Sequence, residues 1–101
     1  MYAFEQHVPI NAEIHARIME ALGPEVPEGL IAHIALVTDD GTLRYVDLWR
    51  TRADCDRFTD DRLHPVIGRL LAAAGIAPES EPERRELDVA YLWGELAPMP
   101  A

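Results

Sequence analysis

The chain has no lysine: its nine basic residues are all arginine, set against eighteen acidic ones. The net charge of −9 repels phosphate backbones and anionic bilayers, so neither nucleic acid nor a membrane is expected as a partner. Arginine without lysine is as readily a coding-composition effect as a functional one. Cysteine is down to one residue, Cys55. No internal disulfide can form, and a reducing cytoplasm is the expected compartment. No apolar run approaches the length of a membrane span. The opening MYAFEQHVPI lacks the basic flank and long apolar core of a signal peptide. Repeats and low-complexity segments are missing too. What remains is a chain of 101 residues, 49% hydrophobic, which is one globular domain over 1–101. A domain this small buries a modest share of its surface, so dimerisation would help it.

The richest stretch runs from Gly29 to Leu71. An apolar run, Leu30 to Thr38, carries His33; a second run, Thr42 to Arg50, carries Tyr45, Asp47 and Trp49. Asp39-Asp40-Gly41 lies between them and has the chemistry of a three-residue hairpin loop: a type I turn closed by glycine in the left-handed region. Counting back from a Thr38–Thr42 pair sets His33 opposite Asp47 and Ile31 opposite Trp49. Ile31, His33, Ala35, Val37, Leu43, Tyr45, Asp47 and Trp49 then share one face. A two-residue Asp-Gly turn would slip the register by one and part His33 from Asp47.

The flanks complete a pattern. Tyr2 to Val8 reads as a strand ended by Pro9. Asn11 is an N-cap, with Glu13 in the first turn. Ile14, Ile18 and Leu22, with Ala21 beside them, give the helix its apolar face, and Gly23-Pro24 stops it. Thr51 caps a second helix, with Asp54 three residues on. Cys55 and Phe58 face inward, then Leu63, Val66, Ile67, Leu70, Leu71 and Ala74. Pro65 is expected to split this helix into pieces over 52–62 and 65–74. Residues 77–84 form a polar loop. Leu87, Val89, Tyr91 and Trp93 alternate with Asp88, Ala90 and Leu92 as a last strand, and the tail 97–101 is frayed. The order β-α-β-β-α-β is the ferredoxin-like α+β unit, a four-stranded antiparallel sheet with two helices on one face. The other face also carries large apolar residues and needs a cover, most simply from an identical chain.

The stretch GLIAH…DDGTLRYVDLWRTRADCDRFTDDRL resembles the dimeric α+β barrel superfamily. More narrowly, it resembles the small bacterial members of the antibiotic biosynthesis monooxygenase-like group, which carry a Val-Asp-x-Trp-x-Ser/Thr-Arg segment followed by Phe and an acidic-Arg-Leu turn. The match covers Gly29 to about Leu71; the flanks match in element order. The resemblance implies a homodimer with sheets face to face and a pocket between sheet and helices in each subunit. The group includes cofactor-free monooxygenases of polyphenolic or quinol-like substrates, haem-degrading enzymes, isomerases, cyclases and proteins with no known reaction, so the fold alone does not fix an activity. Cofactor-free oxidation needs a base, a hydrogen-bond donor for the substrate anion and aromatic walls. His33, Asp47, Trp49 and Tyr91 on strands, with His64 and Phe58 on the helix, are the groups this chain can offer. Two departures stand out. The oxygenase pattern has a sheet asparagine, whereas the one asparagine here, Asn11, is spent as a helix cap. Haem-degrading relatives have a tryptophan at the position of Phe58 and a histidine near Gly68. Neither is matched, His64 lies a turn early, and no cofactor is expected.

Each candidate has two readings. His33 with Asp47 is either a carboxylate-oriented general base or a buried polar pair that fixes strand register. Trp49 either walls an aromatic ligand or fills core or interface. His64 is an acid/base group or an ordinary cap. Tyr91 and Trp93 fit core and interface better than a site. Cys55, apolar in setting and without a basic neighbour in sequence, is expected to be an inert thiol. No ligand spacing supports a metal site. The expectation is a cytoplasmic homodimer with a pocket for a small aromatic or quinone-like molecule, acting without cofactor as a monooxygenase or isomerase. The alternative is a ligand-binding or assembly module of the same fold with no turnover.

Overall fold

Asp40 builds the hairpin at the centre of the molecule. Its carboxylate accepts hydrogen bonds from the Thr38 hydroxyl, the Thr42 hydroxyl and, at 3.0 Å, the Thr42 amide. The loop is closed by Thr38 N donating to Thr42 O at 2.9 Å and Gly41 N donating to Thr38 O at 3.0 Å. Gly41 sits at φ +84°. This is the bulged three-residue loop read from the sequence. In the computed structural model, which describes residues 1–75 and 81–94, the loop joins β2 (Leu30–Val37) to β3 (Leu43–Trp49) in the expected register, with His33 opposite Asp47 and Ala35 opposite Tyr45.

β1 (Tyr2–Val8) pairs antiparallel with β3, and β4 (Arg85–Leu87) pairs with β1. The sheet order is β2-β3-β1-β4. With the helices in the sequence order found, this is the ferredoxin-like α+β arrangement. Helix α1 (Ala12–Leu22) starts at Asn11, whose side chain accepts from the Ile14 amide, and ends at Gly23, φ +85°. Helix α2 (Arg52–Phe58) starts at Thr51, whose hydroxyl accepts from the Asp54 amide. A π-helical turn (Thr59–Leu63) carries it into α3 (His64–Ala73). Both helical segments lie over the sheet face formed by Tyr2, Phe4, Asp47 and Trp49. There the core gathers Tyr2, Phe4, Trp49 and Cys55, with Leu30 and Phe58 packed against it.

The opposite face presents Ala32, Ile34 and Leu36 from β2 and Val46 and Leu48 from β3. Ile34 and Leu36 are 38% and 47% exposed. Apolar residues on both faces were expected, and both faces carry them.

Four expectations need correction. Leu30, not Ile31, lies opposite Trp49, because a β-bulge between Leu30 and Ala32 takes up one residue. The turn entering β2, with Gly29 at φ +84° and Leu30 N donating to Pro27 O, starts the strand one residue out of phase, and the bulge restores it. The residues of α1 that line the interior cavity are His15, Ile18, Met19 and Leu22, and Ile14, expected with Ile18 and Leu22, is not among them. The second helix divides into α2 and α3 with Pro65 in the first turn of α3, as expected in outline, but the join is a continuous π turn over Thr59–Leu63 and not a break. The wider π turn sends His64 N to Thr59 O, five residues back, which removes the demand for the donor that Pro65 lacks and makes room for its ring. The last strand is Arg85–Leu87 instead of the 87–93 alternation. With Ala3 opposite Leu87, the antiparallel register carries the chain past the first residue of β1 almost at once. Tyr91 and Trp93 are 80% and 88% exposed in the single chain, so neither belongs to the core. Residues 81–84 of the expected loop are irregular, as expected; its part over 77–80 and the tail over 97–101 lie outside the described residues.

Candidate active site

Between the inner sheet face and the helices lies a cavity of about 110 Å³. Phe4, Leu30, Tyr45 and Trp49 wall it from the sheet; Ile18, Met19, Leu22 and Phe58 wall it from the helices. Engineered cavities of roughly 150 Å³ take up benzene, whereas sites for drug-sized ligands hold about 300–1,000 Å³. The volume is therefore on the scale of one small ring, well short of a drug-sized site.

The polar groups on this wall converge. Asp47, a carboxylate, can only accept. Its Oδ1 takes a hydrogen bond from His33 Nδ1 at 2.6 Å and its Oδ2 one from Trp49 Nε1 at 3.2 Å. His33 therefore carries a proton on Nδ1, and in the neutral ring the lone pair is on Nε2. That Nε2 is buried and has no partner among the described residues. An unpaired buried polar atom costs on the order of 1–3 kcal/mol, so a purely structural pair would be expected to satisfy it. Trp49, 1% exposed, has two tasks: it fills the core beside Phe58, with ring centroids 5.6 Å apart, and it holds the second oxygen of Asp47.

Two residues that sequence reading did not assign to the site complete it. Tyr45 O–H and His15 Nδ1 share a hydrogen bond at 2.7 Å. The His15 and Tyr45 rings lie 5.3 and 4.7 Å from the His33 ring. Burial, and then the nearby Asp47 charge, push the Tyr45 hydroxyl up to about 12. Burial, and then the neighbouring His33, hold His15 below its ordinary 6.5. Tyr45 shares a strand face with His33 and Asp47 in the alternation pattern. The signal for His15 was its spacing of three, four and seven residues from Ile18, Met19 and Leu22.

The other expected residues divide. Phe58 lines the cavity with His33, Asp47 and Trp49. His64 does not join them. It begins α3, with Nε2 3.3 Å from Glu81 Oε2, and faces a separate open cleft with Arg52, Asp56 and Arg84. It is not a cap: it is the first residue of α3, whose start has no side-chain cap hydrogen bond. Tyr91 lies outside the cavity lining. Cys55 touches the cavity, but it is 2% exposed and burial pushes its thiol up, as an inert core thiol should be. Among the described residues, no group of three or more histidine, cysteine or carboxylate side chains is arranged to hold a metal, and no helix is long and apolar enough to cross a membrane.

No family model matches the chain, and no curated protein matches it.

Proposed function

We propose that this protein binds a small aromatic or quinone-like molecule of about one ring in the cavity between sheet and helices, and that His33 removes a proton from it. The observation that carries this reading is the buried, unpartnered Nε2 of His33, a residue that lines the cavity, with Asp47 fixing the tautomer from behind. Asp47 also stabilises the imidazolium that forms, so the proton moves without leaving an unpaired buried charge. No cofactor is needed for that step. Return of the proton to another atom makes the reaction an isomerisation; transfer of electrons from the resulting anion to dioxygen makes it the cofactor-independent monooxygenase that the sequence resemblance implies. The working unit is a cytoplasmic homodimer, its protomers meeting through the apolar sheet face of Ile34, Leu36, Val46 and Leu48.

A panel of single-ring phenols, quinols and enolisable ketones, followed by oxygen consumption and by absorbance, tests the reading. His33→Asn keeps the shape and loses the proton acceptor, so turnover should fall by about 10²–10⁴. Asp47→Asn should lower turnover more than it lowers the melting temperature, because the amide keeps a hydrogen bond and loses the charge. Full turnover in His33→Asn would remove His33 as the base. A second reading, a binding module without turnover, is favoured by one observation: Asp47 joins His33 to Trp49 at the core, as a register-fixing pair would. It predicts binding by the wild type without turnover on the panel, with both substitutions lowering the melting temperature.

A further inference from the structure

The base is half of what proton removal requires. The anion left behind must also be held, and the walls of this cavity are otherwise mostly apolar. Besides Asp47, His15 from the helix side and Tyr45 from the sheet side carry polar rings packed against His33, at 5.3 and 4.7 Å, and their mutual hydrogen bond has a countable consequence. Neutral His15 owns one N–H and Tyr45 one O–H. One of these two protons makes the 2.7 Å bond; the other is left free. If Tyr45 donates to His15 Nδ1, the free donor is His15 Nε2–H. If His15 Nδ1–H donates, the free donor is Tyr45 O–H. No second side-chain partner takes up that free proton among the described residues.

We propose that His15 and Tyr45 form the donating half of the site, supplying one hydrogen bond to the oxygen of a phenol-type hydroxyl while His33 takes its proton. This rests on the reading of His33 as the base. The step balances: the ligand O–H bond breaks with its electron pair staying on oxygen, and a bond to hydrogen forms at His33 Nε2. A phenolate faces an imidazolium, Asp47 backs the imidazolium, and the His15–Tyr45 pair donates to the phenolate. The Tyr45 hydroxyl keeps its own proton because burial and Asp47 resist its ionisation, so it stays a donor while the ligand becomes the anion. The ligand class is thus a single ring bearing an acidic hydroxyl, in preference to an apolar ring or a ring that arrives already charged.

Fluorine NMR with 2,6-difluorophenol tests this directly. Its shift separates phenol from phenolate, and 1,3-difluorobenzene, which has the same ring and no hydroxyl, reports whether the cavity is intact. Titrations are run where the free phenol is mostly protonated, on wild type, His33→Asn, Tyr45→Phe and His15→Gln. Wild type should bind the phenol as phenolate. Tyr45→Phe and His15→Gln should bind difluorobenzene like wild type, yet bind the phenol about tenfold or more weakly, the worth of a hydrogen bond to a charged group, with its signal moved toward the neutral form. If both variants keep wild-type affinity and the phenolate signal while His33→Asn loses it, the donor pair is overturned and the base stands. If His33→Asn keeps the phenolate signal and Tyr45→Phe loses it, the base reading falls and the donor pair stands. Wild type that binds neither compound overturns both.

Discussion

Asp47 decides what His33 can do. Acceptor-only and engaged on both oxygens, it forces the His33 proton to Nδ1 and leaves the lone pair at the buried Nε2. His15 adds the pH dependence. Its folded-state value lies below the ordinary 6.5 because burial opposes its charge and His33 repels it, while Asp47 pulls the other way. Between the folded value and 6.5, the unfolded chain binds more protons at this position than the folded one. Stability from His15 is therefore fully present above about 6.5 and falls as pH drops through the folded value. Denaturant midpoints at pH 7.5 and 5.5 should show wild type losing more stability on acidification than His15→Gln; an equal loss in both would show that His15 protonation is not opposed by the fold. His33 and Asp47 were legible as a pair because turn chemistry sets register and register sets partners. His15 was not, because its place depends on how α1 is rotated against the sheet, and Ile14 competed for the same face.

Local chemistry dictated the elements wherever a side chain met its own backbone. Asn11, Thr51 and the Asp39-Asp40-Gly41 loop do what their sequence says. Prediction failed where the outcome depended on something farther away. Pro65 reads locally as a helix break, but the alternative of a π turn is stabilised by packing on both sides: Cys55 and Thr59 are buried before it and Val66 after it. The last strand reads locally as seven alternating residues, but a strand needs a neighbour, and β1 supplies one for three. Two glycines at the ends of β2 separate backbone cost from steric cost, since both sit at φ +84°. A β-carbon at Gly41 would meet nothing within 4 Å, whereas one at Gly29 would run into the Asp54 side chain from its β-carbon outward. Gly41→Ala should cost about 1 kcal/mol, the price of the left-handed conformation alone. Gly29→Ala should cost about 2 kcal/mol or more, since Asp54 must move and loosen its 3.1 Å bond from Arg57. Urea denaturation of the two variants measures the difference; equal losses would mean that Asp54 yields freely.

For the whole molecule, the two sheet faces carry different burdens. The inner face is roofed by helices and holds the cavity, so its apolar residues are explained. The outer face holds Ala32, Ile34, Leu36, Val46 and Leu48 with no helix over them. Ala3 is 2% exposed there, set between its cross-strand partners Leu48 and Leu87. Arg44 bounds this patch along β3, and on the next strand Glu5 stands directly beside Val46, 3.2 Å from Arg85. The apolar patch on β2 and β3, with charge beside it on β1, suits a two-fold contact between identical faces, since each residue then meets its like or its neighbour across the axis. The proposed dimer takes Ile34 into the contact, and two copies of any substitution there act at once. Ile34→Glu would bury an unpaired carboxylate from each protomer in the contact and should weaken the dimer by roughly 10²-fold or more. Because its side chain points away from the helices, the cavity beside His33 is untouched, and 1,3-difluorobenzene binding should survive in the separated protomers. Sedimentation of wild type and Ile34→Glu across micromolar concentrations reads this out. A wild type that sediments as a monomer throughout would end the face-to-face dimer, and a dimer that persists unchanged in Ile34→Glu would place the contact somewhere other than this face.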